Sequence, residues 1–173
     1  MSRSVSPCGP QAGLLTGRGD LIARMRANSL FRALRVDKLT YSALEATLLA
    51  YVKEDYEAIP AVRMMRLPKA AVAARAEAAL ASLKDVHGLS VEVTDGESVI
   101  GGGAAPSAVL ATCLLSLSVH GLSADSLLER LRAREPSVVA RVENSRVVLD
   151  LRTVFVEQDR SLIDAICAAV RTI

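Results

Sequence analysis

The sequence contains no tryptophan, and aromatic residues make up only 3% of its 173 positions. Since 51% of the residues are hydrophobic, the chain predicts a globular protein with an aliphatic core. Its three cysteines, Cys8, Cys113 and Cys167, are odd in number and widely spaced. This spacing argues against a disulfide framework and against a zinc site, and it favours reduced thiols in a cytoplasmic protein. His87 and His120 have no carboxylate or cysteine at ligand spacing, so no metal site is predicted.

Neither sign of charge is in large excess: the chain has 21 basic and 19 acidic residues, and its net charge is +2. A wide basic face for nucleic acid is therefore not indicated. The N-terminus has no apolar segment typical of a signal peptide, and residues 1–8 are predicted to be a divergent, disordered tail. The uncharged stretch from Ser98 to Ala124 is interrupted by three glycines and by Pro106, so we interpret its apolar part as a buried strand and expect no membrane span.

The segment from Gly9 to Thr40 departs from this balance. It carries two acids, Asp20 and Asp37, and the following basic residues: Arg18, Arg24, Arg26, Arg32, Arg35 and Lys38. A local excess of this kind is typical of an anion site. Arg32 and Arg35 are three residues apart, so on a helical turn their guanidinium groups would point to one side and converge on one tetrahedral anion. The alternatives are a solvated arginine face or a salt bridge to Asp37.

Turn-forming residues, helix-capping residues and the spacing of apolar residues predict the secondary-structure elements. Residues 12–17 are expected to form a short buried strand, followed by two helices N-capped by Asp20 and Thr40, and Ile59-Pro60 predicts a domain boundary near residue 60. The second half predicts an α-β-β-α-β-β-α order: a four-stranded, mainly antiparallel sheet with helices on one face. Its predicted parts are a helix over 68–86, a strand over 89–94 that ends at the turn Asp95-Gly96, a strand over 109–119, a helix over 123–134, a hairpin turning at Asn144-Ser145, and a helix over 158–171.

Several short motifs occur together in a fixed order: GPQAG at 9–13, RALRVDKLT at 32–40, LEATL at 44–48, IP and RM within 59–64, GGG at 101–103, LSAD at 122–125 and LDLRTV at 149–154. Each motif is weak alone, but their order resembles that of the bacterial L-seryl-tRNA(Sec) selenium transferases, or selenocysteine synthases. The resemblance covers roughly residues 9–173. It implies an α/β fold, the C-terminal part of a pyridoxal-phosphate (PLP) dependent transferase of the aspartate-aminotransferase type (fold type I). Residues 9–60 would be the end of the large PLP-binding domain and 61–173 the small α+β domain.

The resemblance also implies a function in selenocysteine biosynthesis. The family converts seryl-tRNA(Sec) to selenocysteinyl-tRNA(Sec) with selenophosphate and PLP, and it is expected to be cytoplasmic and homo-oligomeric. Arg32 and Arg35 match arginines thought to hold the selenophosphate-like anion. Gly9, Pro10 and Gln11 would lie beside the cofactor phosphate, although an isolated motif of this kind is also typical of a plain turn. Gly101 to Gly103 is interpreted as a connector rather than a phosphate cradle, because no helix with a lysine follows it.

The sequence departs from the family pattern at the cofactor lysine. The family has its Schiff-base lysine in a run resembling DKLLGG shortly before GPQAG, and Val5 stands at that position here. Lys38 matches a different family lysine and is not favoured as a replacement. We therefore expect a fragment without a catalytic residue of its own, which binds no PLP covalently and is inactive alone. Two alternatives remain open: a non-catalytic interaction or assembly module, and a related PLP-dependent lyase acting on a phosphorylated small molecule.

Overall fold

The computed structural model describes residues 12–100 and 108–171. These residues form two compact units: unit 1, residues 12–66, and unit 2, residues 67–100 with 108–171. The predictions for the N-terminal tail, for Val5, for Gly9, Pro10 and Gln11, and for Gly101 to Gly103 fall outside the described residues. No helix in the described part of the chain is both long and apolar enough to cross a membrane.

Unit 1 is helical. Its elements are α1 (Gly19–Ala27), α2 (Leu30–Ala33), α3 (Lys38–Val52), a 3₁₀ turn (Tyr56–Ala58) and α4 (Pro60–Arg66). The guanidinium of Arg66 lies 4.7 Å from the ring centroid of Tyr56, which ties α4 to the 3₁₀ turn by a cation–π contact. Helix α4 belongs to unit 1, whose last residue in this part of the chain is Arg66.

Three local predictions for unit 1 are wrong. Residues 12–17 form no strand, and Leu15 is 59% exposed, because no strand of the described part of unit 1 is available to pair with them. The N-cap of α1 is Arg18, and Asp20 lies in the first turn instead. The N-cap of α3 is Asp37, whose carboxylate accepts a hydrogen bond from the Thr40 backbone N–H at 2.7 Å. Thr40 was predicted to be the cap, but it supplies a first-turn N–H donor instead, and Asp37 satisfies that donor.

Unit 2 has the predicted order of elements. They are α5 (Lys69–Leu83), β1 (Leu89–Val99), β2 (Val109–Val119), α6 (Ala124–Arg132), β3 (Arg141–Glu143), β4 (Arg146–Asp150), two 3₁₀ turns (Leu151–Thr153 and Val156–Gln158) and α7 (Asp159–Arg171). The four strands form one antiparallel sheet in the order β1-β2-β4-β3. The turn between β3 and β4 is confirmed: Asn144 and Ser145 have φ of 50° and 60°, as a tight two-residue hairpin requires.

The predicted turn at Asp95-Gly96 is wrong, since β1 continues through both residues to Val99 and Gly96 lies opposite Thr112 on β2. A Cβ atom at Gly96 would lie 2.4 Å from Cδ1 of Leu114. The glycine therefore accommodates the Leu114 side chain within a continuous strand pair.

The core of unit 2 is aliphatic, as predicted, and it joins α5, α6 and α7 to alternate positions of the strands. Leu115, Leu117 and Val147 of the sheet are fully buried together with Leu83, Leu131 and Ile166 of the helices. Leu149 and Leu151 are 4% and 1% exposed, so their predicted burial is confirmed.

A buried polar network crosses one end of this sheet. The Asp150 carboxylate accepts hydrogen bonds from the hydroxyls of Ser98 and Thr112 and from the Arg152 backbone N–H. The Arg152 guanidinium donates to the Ser98 hydroxyl at 3.1 Å and to the carbonyls of Leu67 and Ala111. Arg152 is only 4% exposed, so these contacts replace water around a buried cation.

We predict that Arg152→Met destabilises unit 2 by about 2–5 kcal/mol, because it leaves buried acceptors without donors and removes a buried positive charge beside Asp150. Arg160→Met is the matched control, since Arg160 is exposed and its loss is expected to cost less than about 0.5 kcal/mol. Urea unfolding followed by circular dichroism measures both changes. Equal unfolding midpoints for the two variants would contradict the role given to Arg152.

Candidate anion-binding site

Three arginines of unit 1 line one surface depression, called here the arginine depression. It is formed by Arg26, Phe31, Arg32, Arg35, Val36 and Tyr41. Arg26 comes from the last turn of α1, Arg32 from α2, and Arg35 from the link between α2 and α3. The depression is open, and all three arginines are exposed to solvent.

The helical prediction for Arg32 and Arg35 holds only in part. Arg32 is helical, whereas α2 ends at Ala33 and Arg35 lies beyond its C-cap, Leu34. Both side chains nevertheless line the same depression. Lys38 begins α3 and does not contribute to the lining.

The two acids of the basic segment are engaged elsewhere. The Asp20 carboxylate accepts from the Arg18 guanidinium at 3.1 and 2.7 Å, and this pairing lowers the pKa of Asp20. The Asp37 carboxylate caps α3, and the Thr40 backbone N–H lowers the pKa of Asp37. Neither carboxylate forms an ion pair with Arg32 or Arg35, so the alternative of a salt bridge from Asp37 is wrong.

Among the residues that the structure describes, the side chains of Arg26, Arg32 and Arg35 make no hydrogen bond and no ion pair. This differs from several arginines of unit 2. Arg75, for example, donates to the Asp159 carboxylate and to the carbonyls of Leu151 and Val154. The arginine depression therefore concentrates positive charge that no described protein group neutralises. Planar guanidinium groups match the oxygen spacing of phosphate-like anions, so binding such an anion is what the arrangement can do chemically.

The lysines do not fit covalent binding of PLP. The chain has four of them, and Lys38, Lys53 and Lys84 are exposed at helix ends. Lys69 lies 2.7 Å from the Asp95 carboxylate, and this pairing raises the pKa of Lys69. Since an imine forms from the neutral amine, the raised pKa of Lys69 disfavours its reaction with an aldehyde. The described residues likewise contain no cluster of three or more potential metal-binding His, Cys, Asp or Glu side chains.

Sequence reasoning placed Arg26 in the basic cluster but did not assign it to the site with Arg32 and Arg35. Arg26 precedes Arg32 by more than one helical turn, and the end of α1 lies between them. No periodic pattern joins the two positions, so only the fold shows that they share one depression. Tyr41 was missed for the same reason.

Unit 1 exposes a large amount of apolar surface. Among the described residues, twelve of its large apolar side chains are exposed, against five in the larger unit 2. Helix α3 has only two charged residues, Lys38 and Glu45, and yet Leu44 is its one buried residue. Leu39 and Val52 at its two ends are 82% and 79% exposed. A helix that is apolar on all sides is normally enclosed by protein, so this surface is typical of a contact surface for further polypeptide.

Comparison with known proteins identifies the family of this chain. Residues 7–155 match the family model described as L-seryl-tRNA selenium transferase. The chain is 38% identical over 154 residues to the L-seryl-tRNA(Sec) selenium transferase of Aquifex aeolicus, which covers 89% of this chain and 34% of that protein. The proteins of the same name from Wolinella succinogenes and Carboxydothermus hydrogenoformans are 42% and 36% identical over 155 and 153 residues. These matches cover 89% and 87% of this chain and 34% and 33% of those proteins.

The chain therefore spans about a third of the length of these relatives. The match includes the basic segment, the arginine depression and most of unit 2. By sequence and by the extent of this match, the chain belongs to the L-seryl-tRNA selenium transferase family.

Proposed function

We propose that the chain is the C-terminal portion of a fold type I selenium transferase that converts L-seryl-tRNA(Sec) to selenocysteinyl-tRNA(Sec) with selenophosphate as selenium donor. In this proposal unit 1 is the end of the large PLP-binding domain and unit 2 is the small domain. The enzyme acts in selenocysteine biosynthesis and assembles as a homo-oligomer.

The convergence of Arg32 and Arg35 on one depression carries this proposal. Selenophosphate is a tetrahedral anion, and both arginines are without an acidic partner in the part of the chain that the structure describes. Their role is to bind the anion, to neutralise its charge and to orient it toward the second substrate. This role needs no proton transfer by these residues.

The apolar surface of unit 1 supports the same assignment. A large domain that continues beyond these residues would cover the exposed faces of α1, α2 and α3, which leave side chains such as Leu34 and Val52 in solvent. Enclosing the arginine depression would also exclude water from it, and charge-assisted contacts are stronger in such an environment.

PLP supplies the electron sink for chemistry at the seryl group when it is bound. The lysine that would hold the cofactor is not among these 173 residues, because Val5 stands at the matching position and none of the four lysines is suited to the task. The proposed activity therefore requires polypeptide that supplies this lysine, and unit 1 contributes the anion-binding arginines.

We predict that the purified chain forms no stoichiometric covalent adduct when it is mixed with PLP and reduced with borohydride. Lys38, Lys53 and Lys84 are exposed at helix ends, and the contact with Asp95 raises the pKa of Lys69, which disfavours the neutral amine. Intact-protein mass spectrometry measures the adduct. A single adduct on Lys38 that is lost in Lys38→Ala would contradict the assignment, and Lys53→Ala is the matched control.

We predict that Arg32 and Arg35 are needed for selenium transfer once the missing part is restored. The test protein joins residues 9–173 to the preceding two thirds of the Aquifex aeolicus relative. Arg32→Ala and Arg35→Ala are each expected to lower the rate of selenocysteinyl-tRNA formation by roughly tenfold to a hundredfold, since each removes a charge-assisted contact of about 1.5–3 kcal/mol. Binding of PLP, followed by its absorbance, is expected to stay unchanged.

Arg24→Ala is the matched control for this experiment. Arg24 lies on the same helix as Arg26 but lines a different, apolar depression with Leu21 and Met25. Because Arg24 does not line the arginine depression, its removal is expected to leave the rate within about twofold. Normal transfer by both the Arg32 and the Arg35 variants would refute the site.

A further inference from the structure

The arginine depression contains a third cation that the pair Arg32 and Arg35 does not explain. Arg26 lines it together with them, although it comes from a different helix. We infer that Arg26 is a specificity-determining residue of the anion site, which makes the site prefer a doubly charged tetrahedral oxyanion over a singly charged one. This inference rests on the proposed anion-binding function of Arg32 and Arg35.

The position of Arg26 in α1 has a simpler explanation that must be separated from this role. Basic residues in the last turn of a helix interact favourably with the helix dipole, and α1 has two of them, Arg24 and Arg26. Both arginines interact with the helix dipole in the same way, but they line different surface depressions. Arg24 lines the apolar depression formed with Leu21, Met25 and Leu34, whereas Arg26 lines the arginine depression.

The charge of the depression indicates the kind of anion. Arg26, Arg32 and Arg35 bring three positive charges, and no described carboxylate pairs with any of them. Two guanidinium groups already neutralise a dianion, and a third leaves a net positive site that still attracts one at longer range. A monoanion offers half the charge to each of the three, so the loss of any one arginine affects it less. The preference for a dianion therefore depends on the number of arginines.

The donor geometry of the depression agrees with a tetrahedral anion. Each guanidinium presents several N–H donors in a plane, and the three arginines come from three separate segments, α1, α2 and the link to α3. Donors carried on three separate segments suit an anion whose oxygens point in several directions. The phenol of Tyr41 lies in the same lining and adds a neutral hydrogen-bonding group.

The test compares sulfate and perchlorate, which are both tetrahedral but carry two charges and one. Each is titrated into the full 173-residue chain at constant ionic strength, and binding is followed by amide chemical shifts. Wild type is expected to bind sulfate more tightly than perchlorate. Arg26→Ala is expected to weaken sulfate binding by about threefold to tenfold, as for one partly screened charge contact, and to weaken perchlorate binding by less. Arg24→Ala, which removes the same charge from the same turn, is expected to change sulfate binding by less than about twofold.

The variants separate this inference from the proposed function. If Arg32→Ala and Arg35→Ala weaken sulfate binding while Arg26→Ala behaves like Arg24→Ala, the role of Arg26 is refuted and the two-arginine site stands. If Arg26→Ala lowers sulfate and perchlorate affinity by the same factor, Arg26 binds anions without selecting their charge, and the inference is also refuted. If wild type binds neither anion, the site itself is refuted. Arg26→Gln removes the charge but keeps a polar, unbranched side chain, and it is expected to reproduce the Arg26→Ala result. Circular dichroism of this variant checks that the helical content is unchanged.

Discussion

The buried Asp150 carboxylate and the Arg152 guanidinium constrain most of unit 2. Through the hydroxyls of Ser98 and Thr112 they connect β1, β2 and the end of β4, and through the Leu67 carbonyl they hold the chain two residues before α5. An unpaired charge in this position would be too costly to bury, so each partner requires the others. Asp150 and Arg152 both belong to the LDLRTV motif. The network explains why this motif has charged residues within an otherwise apolar core.

Unit 1 has no comparable internal constraint. Its one long helix, α3, is apolar on most sides but buries only Leu44, and side chains such as Leu34 and Leu39 stay in solvent. Isolated helices gain little stability from propensity alone, so a helix with this composition depends on packing against other protein. The difference between the units follows from where each finds its packing partners. Unit 2 encloses its core by itself, whereas unit 1 presents apolar faces that further polypeptide would cover.

The sequence predicted most of unit 2 because its signals are local. Alternation of polar and apolar residues predicted the strand at 109–119. Asn144-Ser145 predicted the hairpin turn, in which both residues have a left-handed backbone conformation. The predictions failed where a distant residue decides the outcome. Gly96 followed Asp95 as in a turn, but the role of this glycine depends on Leu114 across the sheet. The apolar residues 12–17 lack a partner strand, which a local pattern does not reveal. At the site, spacing indicated Arg32 and Arg35, whereas Arg26 joins them only through the fold.

The arginines of the depression differ from arginines such as Arg75 and Arg146 of unit 2, because their side chains have no partner among the described residues. In unit 2, Arg75 pairs with Asp159, and Arg146 contacts Glu92 and the Ser116 hydroxyl, so their charges are committed to the fold. In unit 1 the acids that would neutralise the cluster serve Arg18 and the N-terminus of α3 instead, and Arg26, Arg32 and Arg35 are exposed beside one another. Exposed like charges in one depression repel each other slightly, and this repulsion lowers the stability of the fold by a small amount. An anion in the arginine depression would remove this repulsion, so the charges that add nothing to folding would contribute to the binding of the anion.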